Sequence, residues 1–169
     1  MDHSRTLAQL NSLPQLDAER ELQSCCASPA WASRVAAARP FADVDGLIQA
    51  SEATLAGLDW TEIEAALSAH PWIGQRAAGA NREASWSAQE QAGATGAPVE
   101  TAVALREVNE EYERRFGHVF LIYATGRSAE EMLAAARERL EHDEETERGV
   151  VRGELSKITR LRLRKLLDA

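Results

Sequence analysis

The chain has 169 residues and a formal net charge of −8, with 44% hydrophobic and 27% charged residues. This length fits one domain that buries a core without metal or disulfide staples. The acidic balance argues against a nucleic-acid binder, which would carry a basic face, and against docking on an anionic membrane. No apolar run approaches the about 20 residues that span a bilayer.

Two local features indicate a cytoplasmic protein. The first ten residues, MDHSRTLAQL, lack the apolar stretch of a signal peptide. The two cysteines, Cys25 and Cys26, are adjacent, and neighbours in a helix point apart, so we expect no bridge between them. No two histidines stand at the spacing of metal ligands, and we expect no metal site.

The sequence predicts an all-α fold, because strong helix formers dominate and β-branched residues rarely alternate. We expect a single compact multi-helix domain over residues 1–169, with about seven to nine helices and no significant sheet. The predicted helices cover residues 5–12, 16–27, 29–39, 43–57, 60–70, a short stretch from Ser87, 98–116, 128–141 and 144–167.

An apolar run, VFLIYA from Val119 to Ala124, interrupts the helical pattern. It has the composition of a strand, but the chain offers no second strand to pair with it. Because an isolated strand is not stable, we predict buried extended backbone.

His70 opens a predicted loop that extends from Pro71 to Trp86. An unperturbed imidazole, with a pKa of about 6.5, suits proton donation or acceptance at neutral pH. A structural explanation is the more common one for such a residue, since a histidine at the end of a helix is favoured by the macrodipole. Pro71 turns the chain away at once, which leaves the imidazole at the mouth of the loop.

Glu90 has a structural and a functional interpretation. Ser87 and Glu90 have the spacing of a capping box, in which the glutamate reaches back to the first backbone N–H. A helix that begins there would also offer free N–H groups to an anion, with Ser87 and Gln91 beside it.

Arg162 lies in the middle of the apolar arc of the last predicted helix, among residues such as Leu155 and Ile158. A guanidinium on an apolar face needs a partner, because burying it unpaired is costly. The partner is either an internal carboxylate or an anionic ligand held by two parallel hydrogen bonds. The chain has no phosphate-binding loop, no dinucleotide fingerprint and no nucleophile elbow.

Together these residues make the chain resemble the OHCU decarboxylase family, which acts on 2-oxo-4-hydroxy-4-carboxy-5-ureidoimidazoline. The resemblance covers nearly the whole length, and the ordered set of short matches carries it. The matches are Leu10-Asn11, Cys26, Trp31, Arg39-Pro40-Phe41, Ala69-His70-Pro71, Ile73-Gly74, Ser87 through Gln91, Asn109, Tyr112, Phe116-Gly117, the run from Phe120, Arg139-Leu140, Lys157-Ile158 and Arg162-Leu163.

The resemblance implies a cofactor-free, homodimeric enzyme of purine breakdown that removes CO2 from this small molecule and leaves (S)-allantoin. It implies that His70 and Glu90 are the catalytic residues. The implied substrate contacts are Pro71, Ser87, Ala88, Gln89, Glu90, Gln91, Arg162 and the backbone of Phe120, Leu121, Ile122, Tyr123 and Ala124. Bacterial members of the family often have arginine where this chain has Trp72.

Our hypothesis for the chemistry makes His70 the proton donor and Glu90 the group that binds and orients the ring, and the reverse assignment stays open. Two other functions also stay open. One is a non-catalytic helical adaptor that kept the fold, and the other is a cofactor-free lyase or isomerase that acts on a different ureide.

Overall fold

The computed structural model describes residues 5–74 and 81–167, and all its regular secondary structure there is helical. The α-helices are α1 (Leu7–Ser12), α2 (Gln15–Gln23), α3 (Pro29–Ala37), α4 (Val44–Gly57), α5 (Trp60–Leu67), α6 (Arg82–Glu90), α7 (Val99–Phe116), α8 (Ala129–Arg139) and α9 (Glu144–Leu166). The all-α prediction is therefore confirmed. Among these helices, none is both long enough and apolar enough to cross a membrane.

Several helix boundaries follow directly from the local sequence. Ser28 caps α3 by accepting a hydrogen bond from Trp31 N, and Pro29 occupies the first helical position, where its missing N–H costs nothing. Ser128 caps α8 in the same way. Gly117 ends α7 with φ of 80°, a left-handed conformation that favours glycine.

The helices group into two compact units, of which the first comprises residues up to Ala66 together with those from Ser156 onward. Helix α2 packs on α3, and α3 packs on α4. The core of this unit includes the fully buried side chains of Leu10, Leu22, Trp31, Leu47, Leu55 and Leu163.

The second unit comprises Leu67–Leu155, and in it α7 packs against α8. Its core contains Ile73, Leu105, Val108, Tyr112, Phe120, Ile122, Ala124, Met132 and Ala136. This unit therefore carries His70, Glu90 and the apolar run from Val119, which are most of the residues predicted to form a site.

Candidate active site

His70 follows the end of α5, which stops at Leu67, three residues earlier than predicted. The backbone N–H of His70 donates to the Leu67 carbonyl at 3.0 Å, which closes a final turn before Pro71 redirects the chain. Both His70 and Pro71 are half-buried. The imidazole is thus attached to the chain just after the end of a helix, as the sequence predicts.

Two side-chain amides hold the loop that follows His70. The Gln91 amide accepts from Gly74 N at 3.1 Å and lies with its nitrogen 3.4 Å from the Pro71 carbonyl. The Asn109 amide nitrogen donates to the Ile73 carbonyl at 3.4 Å. Three backbone groups within four residues are therefore fixed by side chains from other elements, which restricts where the imidazole can lie.

The placement of Ser87 and Glu90 at a helix start was wrong. Helix α6 begins at Arg82, capped by the Asn81 side chain, which accepts from Ala84 N at 2.9 Å. Ser87 and Glu90 lie in its last turn, so they form no capping box. No helix-start amides are available to an anion beside them, and the negative end of the helix dipole lies there instead. Of the predicted loop from Pro71 to Trp86, residues 75–80 lie outside the described residues.

The last turn of α6 divides into a buried and an exposed face. Ser87 is 6% exposed and Glu90 is 7% exposed, and they lie three residues apart on the same side of the helix. Ala88 and Gln89 are exposed on the other side. Gln91 caps the C-terminus of α6, and its amide contacts the loop after His70. Gln91 follows Glu90 and Pro71 follows His70, so the sequence neighbours of the two predicted catalytic residues are in direct contact.

The run from Phe120 to Ala124 forms neither helix nor strand, as predicted. Phe120, Leu121, Ile122 and Ala124 are at most 4% exposed, and Tyr123 is half-buried. Just before the run, His118 is buried, and its Nδ1 lies 3.0 Å from the Val119 carbonyl.

A close backbone approach joins the segment just after α6 to the segment just after this run. A Cβ atom on Gly93 would lie only 1.8 Å from the Arg127 carbonyl oxygen, so only glycine fits there. Ile73 also belongs to the same buried cluster as Phe120 and Ile122. The His70 loop, the end of α6 and the apolar run therefore meet within the second unit.

Arg162 belongs to the first unit, where it is 5% exposed on α9, so the predicted burial is confirmed. The pKa of the Cys26 thiol is raised to about 11, because burial outweighs the opposing effects of hydrogen bonds with Ser28 and Thr159 and of the Arg162 charge. Cys26 therefore stays protonated at neutral pH. The participation of Arg162 in a site with His70 and Glu90 stays a prediction.

The sequence analysis assigned no role to a buried charged cluster on α7, α8 and α9. Glu147 is fully buried, and one of its oxygens accepts from Arg139 Nε at 2.7 Å and from the Tyr112 hydroxyl at 2.5 Å. Its other oxygen lies 2.9 Å from His142 Nδ1. Burial first, and then the hydrogen bond to Glu147, raise the pKa of Tyr112 far above its ordinary value, so the phenol stays a donor.

Comparison with known proteins points to one family. The sequence profile described as OHCU decarboxylase matches residues 11–164. A 2-oxo-4-hydroxy-4-carboxy-5-ureidoimidazoline decarboxylase from Haloferax volcanii is 30% identical over 165 residues, which cover 95% of this chain and 95% of that protein. The uric acid degradation bifunctional protein TTL of Arabidopsis thaliana is 32% identical over 155 residues, 89% of this chain but 47% of that protein. The chain thus spans about half the length of the plant relative.

Solved structures agree with the sequence comparison. A crystal structure of OHCU decarboxylase in the presence of (S)-allantoin superposes with a TM-score of 0.76 at 29% identity, covering 88% of this chain and 98% of the other. A crystal structure of (S)-allantoin synthase, at 18% identity and a TM-score of 0.71, covers 94% of this chain and 52% of the other, and shares the fold.

Proposed function

Because the chain belongs to the OHCU decarboxylase family, we propose that it decarboxylates 2-oxo-4-hydroxy-4-carboxy-5-ureidoimidazoline to (S)-allantoin and CO2 in urate degradation. The protein is then a carboxy-lyase. The observation that carries the assignment is the profile match over residues 11–164, which contains both His70 and Glu90.

In this reaction the protein must position the substrate and protonate it, because the substrate's own ring accepts the electron pair. The substrate carries its carboxylate on a carbon that also bears a hydroxyl, next to an imine-like ring. When the bond to CO2 breaks, its electron pair passes into the conjugated ring. One proton delivered to one face of the ring then gives a single enantiomer.

We assign the proton delivery to His70 and the binding and orientation of the ring or ureido group to Glu90. The contact of Gln91 with the Pro71 carbonyl supports this pairing, because each contacting residue is the sequence neighbour of one of the two. The burial of Glu90, at 7% exposure, supports a carboxylate that interacts with a ligand away from bulk water. In the reverse assignment Glu90 delivers the proton and His70 orients the ring, and the activity again depends on both residues.

The remaining predicted contacts divide by location. Ser87 shares the buried face of Glu90, and the backbone from Phe120 to Ala124 is buried in the same unit, which supports both as substrate contacts. Ala88 and Gln89 are exposed, so we assign them only backbone roles. Arg162 would stabilise anionic character in the substrate by two parallel hydrogen bonds.

A coupled assay tests the activity itself. Urate is converted by a urate oxidase and a hydroxyisourate hydrolase, with and without this protein, and allantoin is separated and quantified. We expect this protein to accelerate allantoin formation and CO2 release. A protein that binds (S)-allantoin without accelerating its formation would be the non-catalytic adaptor, and a protein that does neither would act on a different ureide.

We also propose that the protein is a homodimer, as the family resemblance implies, and that it is cytoplasmic, as the sequence indicates. Both cysteines are buried and unbridged, which fits a reducing compartment. Light scattering on the purified chain measures the mass in solution, and we expect twice the 18.5 kDa of one chain. A mass of one chain at working concentration would contradict the dimer and leave the enzymatic assignment intact.

A further inference from the structure

The buried run from Val119 to Ala124 has no sheet partner, so its backbone polar groups must find other partners. Two carbonyls two residues apart are bound by arginines. Arg139 Nη1 donates to the Leu121 carbonyl at 2.6 Å, and Arg127 Nε donates to the Tyr123 carbonyl at 3.1 Å.

The residues that directly precede these two positions, Phe120 and Ile122, differ from them. Phe120 and Ile122 are 2% and 4% exposed. Within residues 5–74 and 81–167, neither the N–H nor the C=O groups of these two residues have a hydrogen-bond partner in the protein. A buried peptide group without a partner is costly, so such a pair is suited to a ligand that brings its own donors and acceptors.

Several contacts together hold the Arg139 guanidinium in place. Its Nε donates to a Glu147 oxygen at 2.7 Å, and Nη2 lies 2.5 Å from the same atom. The Tyr112 hydroxyl donates to that oxygen as well. The guanidinium lies 4.5 Å from the centroid of the Phe120 ring, so Arg139 contacts the run through both a carbonyl and an adjacent side chain.

We propose that Arg139 is a positioning residue. By binding the Leu121 carbonyl and the Phe120 ring from a guanidinium fixed on Glu147, it leaves the backbone groups of Phe120 and Ile122 directed to a ligand. The donor and acceptor character of these groups suits a ureide, which carries N–H and C=O groups side by side. The choice of ureide rests on the proposed function.

The geometry requires arginine rather than any cation at this position. Nε of the planar guanidinium donates to one Glu147 oxygen, which also lies close to Nη2, while Nη1 donates to the Leu121 carbonyl. A lysine has one ammonium on a flexible stem and does not reproduce this fork. Arg139→Lys therefore keeps the charge opposite Glu147 but loses the simultaneous hold on the run.

The test compares three variants with the wild type. Arg139→Lys breaks the hold. Arg137→Lys, at an exposed arginine two residues away on α8, is the matched control. The double variant Arg139→Met, Glu147→Leu removes both buried charges, which preserves folding better than removing one. Each variant is measured for kcat and KM, for melting temperature and for affinity toward (S)-allantoin by titration of ¹⁵N-labelled protein.

We expect the Phe120 and Ile122 amide signals of the wild type to shift on titration. We expect Arg139→Lys and the double variant to bind more weakly and to lose about 100-fold in kcat/KM while folded, as for a misplaced binding group. Arg137→Lys should match the wild type. A folded double variant with wild-type kcat/KM, or wild-type amides that do not respond to saturating (S)-allantoin, overturns the proposal. An inactive wild type whose amides respond would overturn the proposed function and leave this inference standing.

Discussion

His70 is the residue on which the chemistry depends. It stands after the last turn of α5, at the start of a loop whose backbone is held at Pro71, Ile73 and Gly74 by Gln91 and Asn109. Those contacts fix the backbone that carries the imidazole. A substitution of the side chain alone should therefore separate chemistry from folding.

We predict that His70→Asn lowers kcat by about 10²- to 10⁴-fold, the usual contribution of a positioned proton donor. The melting temperature should stay at the wild-type value, because the half-buried ring is at a chain turn rather than in the core. Steady-state assays and thermal melts measure the two quantities. Production of optically active allantoin by the variant at nearly the wild-type rate would remove His70 from the catalytic role.

Two arginines are buried to the same extent, Arg139 and Arg162, each 5% exposed. The helical wheel singles out Arg162 because its neighbours on the wheel are apolar. Arg139 follows the buried residues Met132, Leu133 and Ala136 at helical spacing, and the same reasoning would have singled it out. Its partner Glu147 lies eight residues further on, in a different helix, so the pairing itself required the fold.

Among the elements, α6 differs most from the sequence prediction. The small residues before Ser87 predict a loop, whereas Asn81 caps a helix that starts at Arg82. A capping box at Ser87 and a cap at Asn81 are both good local signals. The structure uses the earlier one, which places Ser87 and Glu90 on one buried face in the last turn.

The segment just after α6 is where a single methyl group should have a large effect. We predict that Gly93→Ala lowers both thermal stability and activity, because its Cβ would lie 1.8 Å from the Arg127 carbonyl oxygen and force the two backbones apart. Gly57→Ala is the control, since nothing lies within 4 Å of a Cβ at Gly57. Thermal melts and kcat/KM measure the outcome. If Gly93→Ala and Gly57→Ala had the same melting temperature and the same kcat/KM, the close approach of Gly93 to Arg127 would matter for neither stability nor activity.

On the scale of the whole molecule, the all-α class followed from composition and helical periodicity alone. Those signals act within one helix and carry no information about which helices pack together. We propose that residues 1–169 form one cooperative domain, although their backbone contacts group into two units. The long helix α9 belongs to both units, which favours joint unfolding.

Calorimetry tests this proposal. We expect one thermal transition whose calorimetric enthalpy equals its van 't Hoff enthalpy, as for a two-state domain. Two separated transitions, or a calorimetric enthalpy well above the van 't Hoff value, would show that the two units unfold independently.

The central claim is that a histidine and a carboxylate held by packed helices guide the loss of CO2 to one enantiomer. Circular dichroism recorded while hydroxyisourate decays in the presence of its hydrolase measures this directly. The account predicts that catalytic amounts of this protein make the (S)-allantoin signal appear faster and with full optical purity, and that the His70→Asn protein does not. Racemic allantoin forming at the same rate with and without the protein would contradict it.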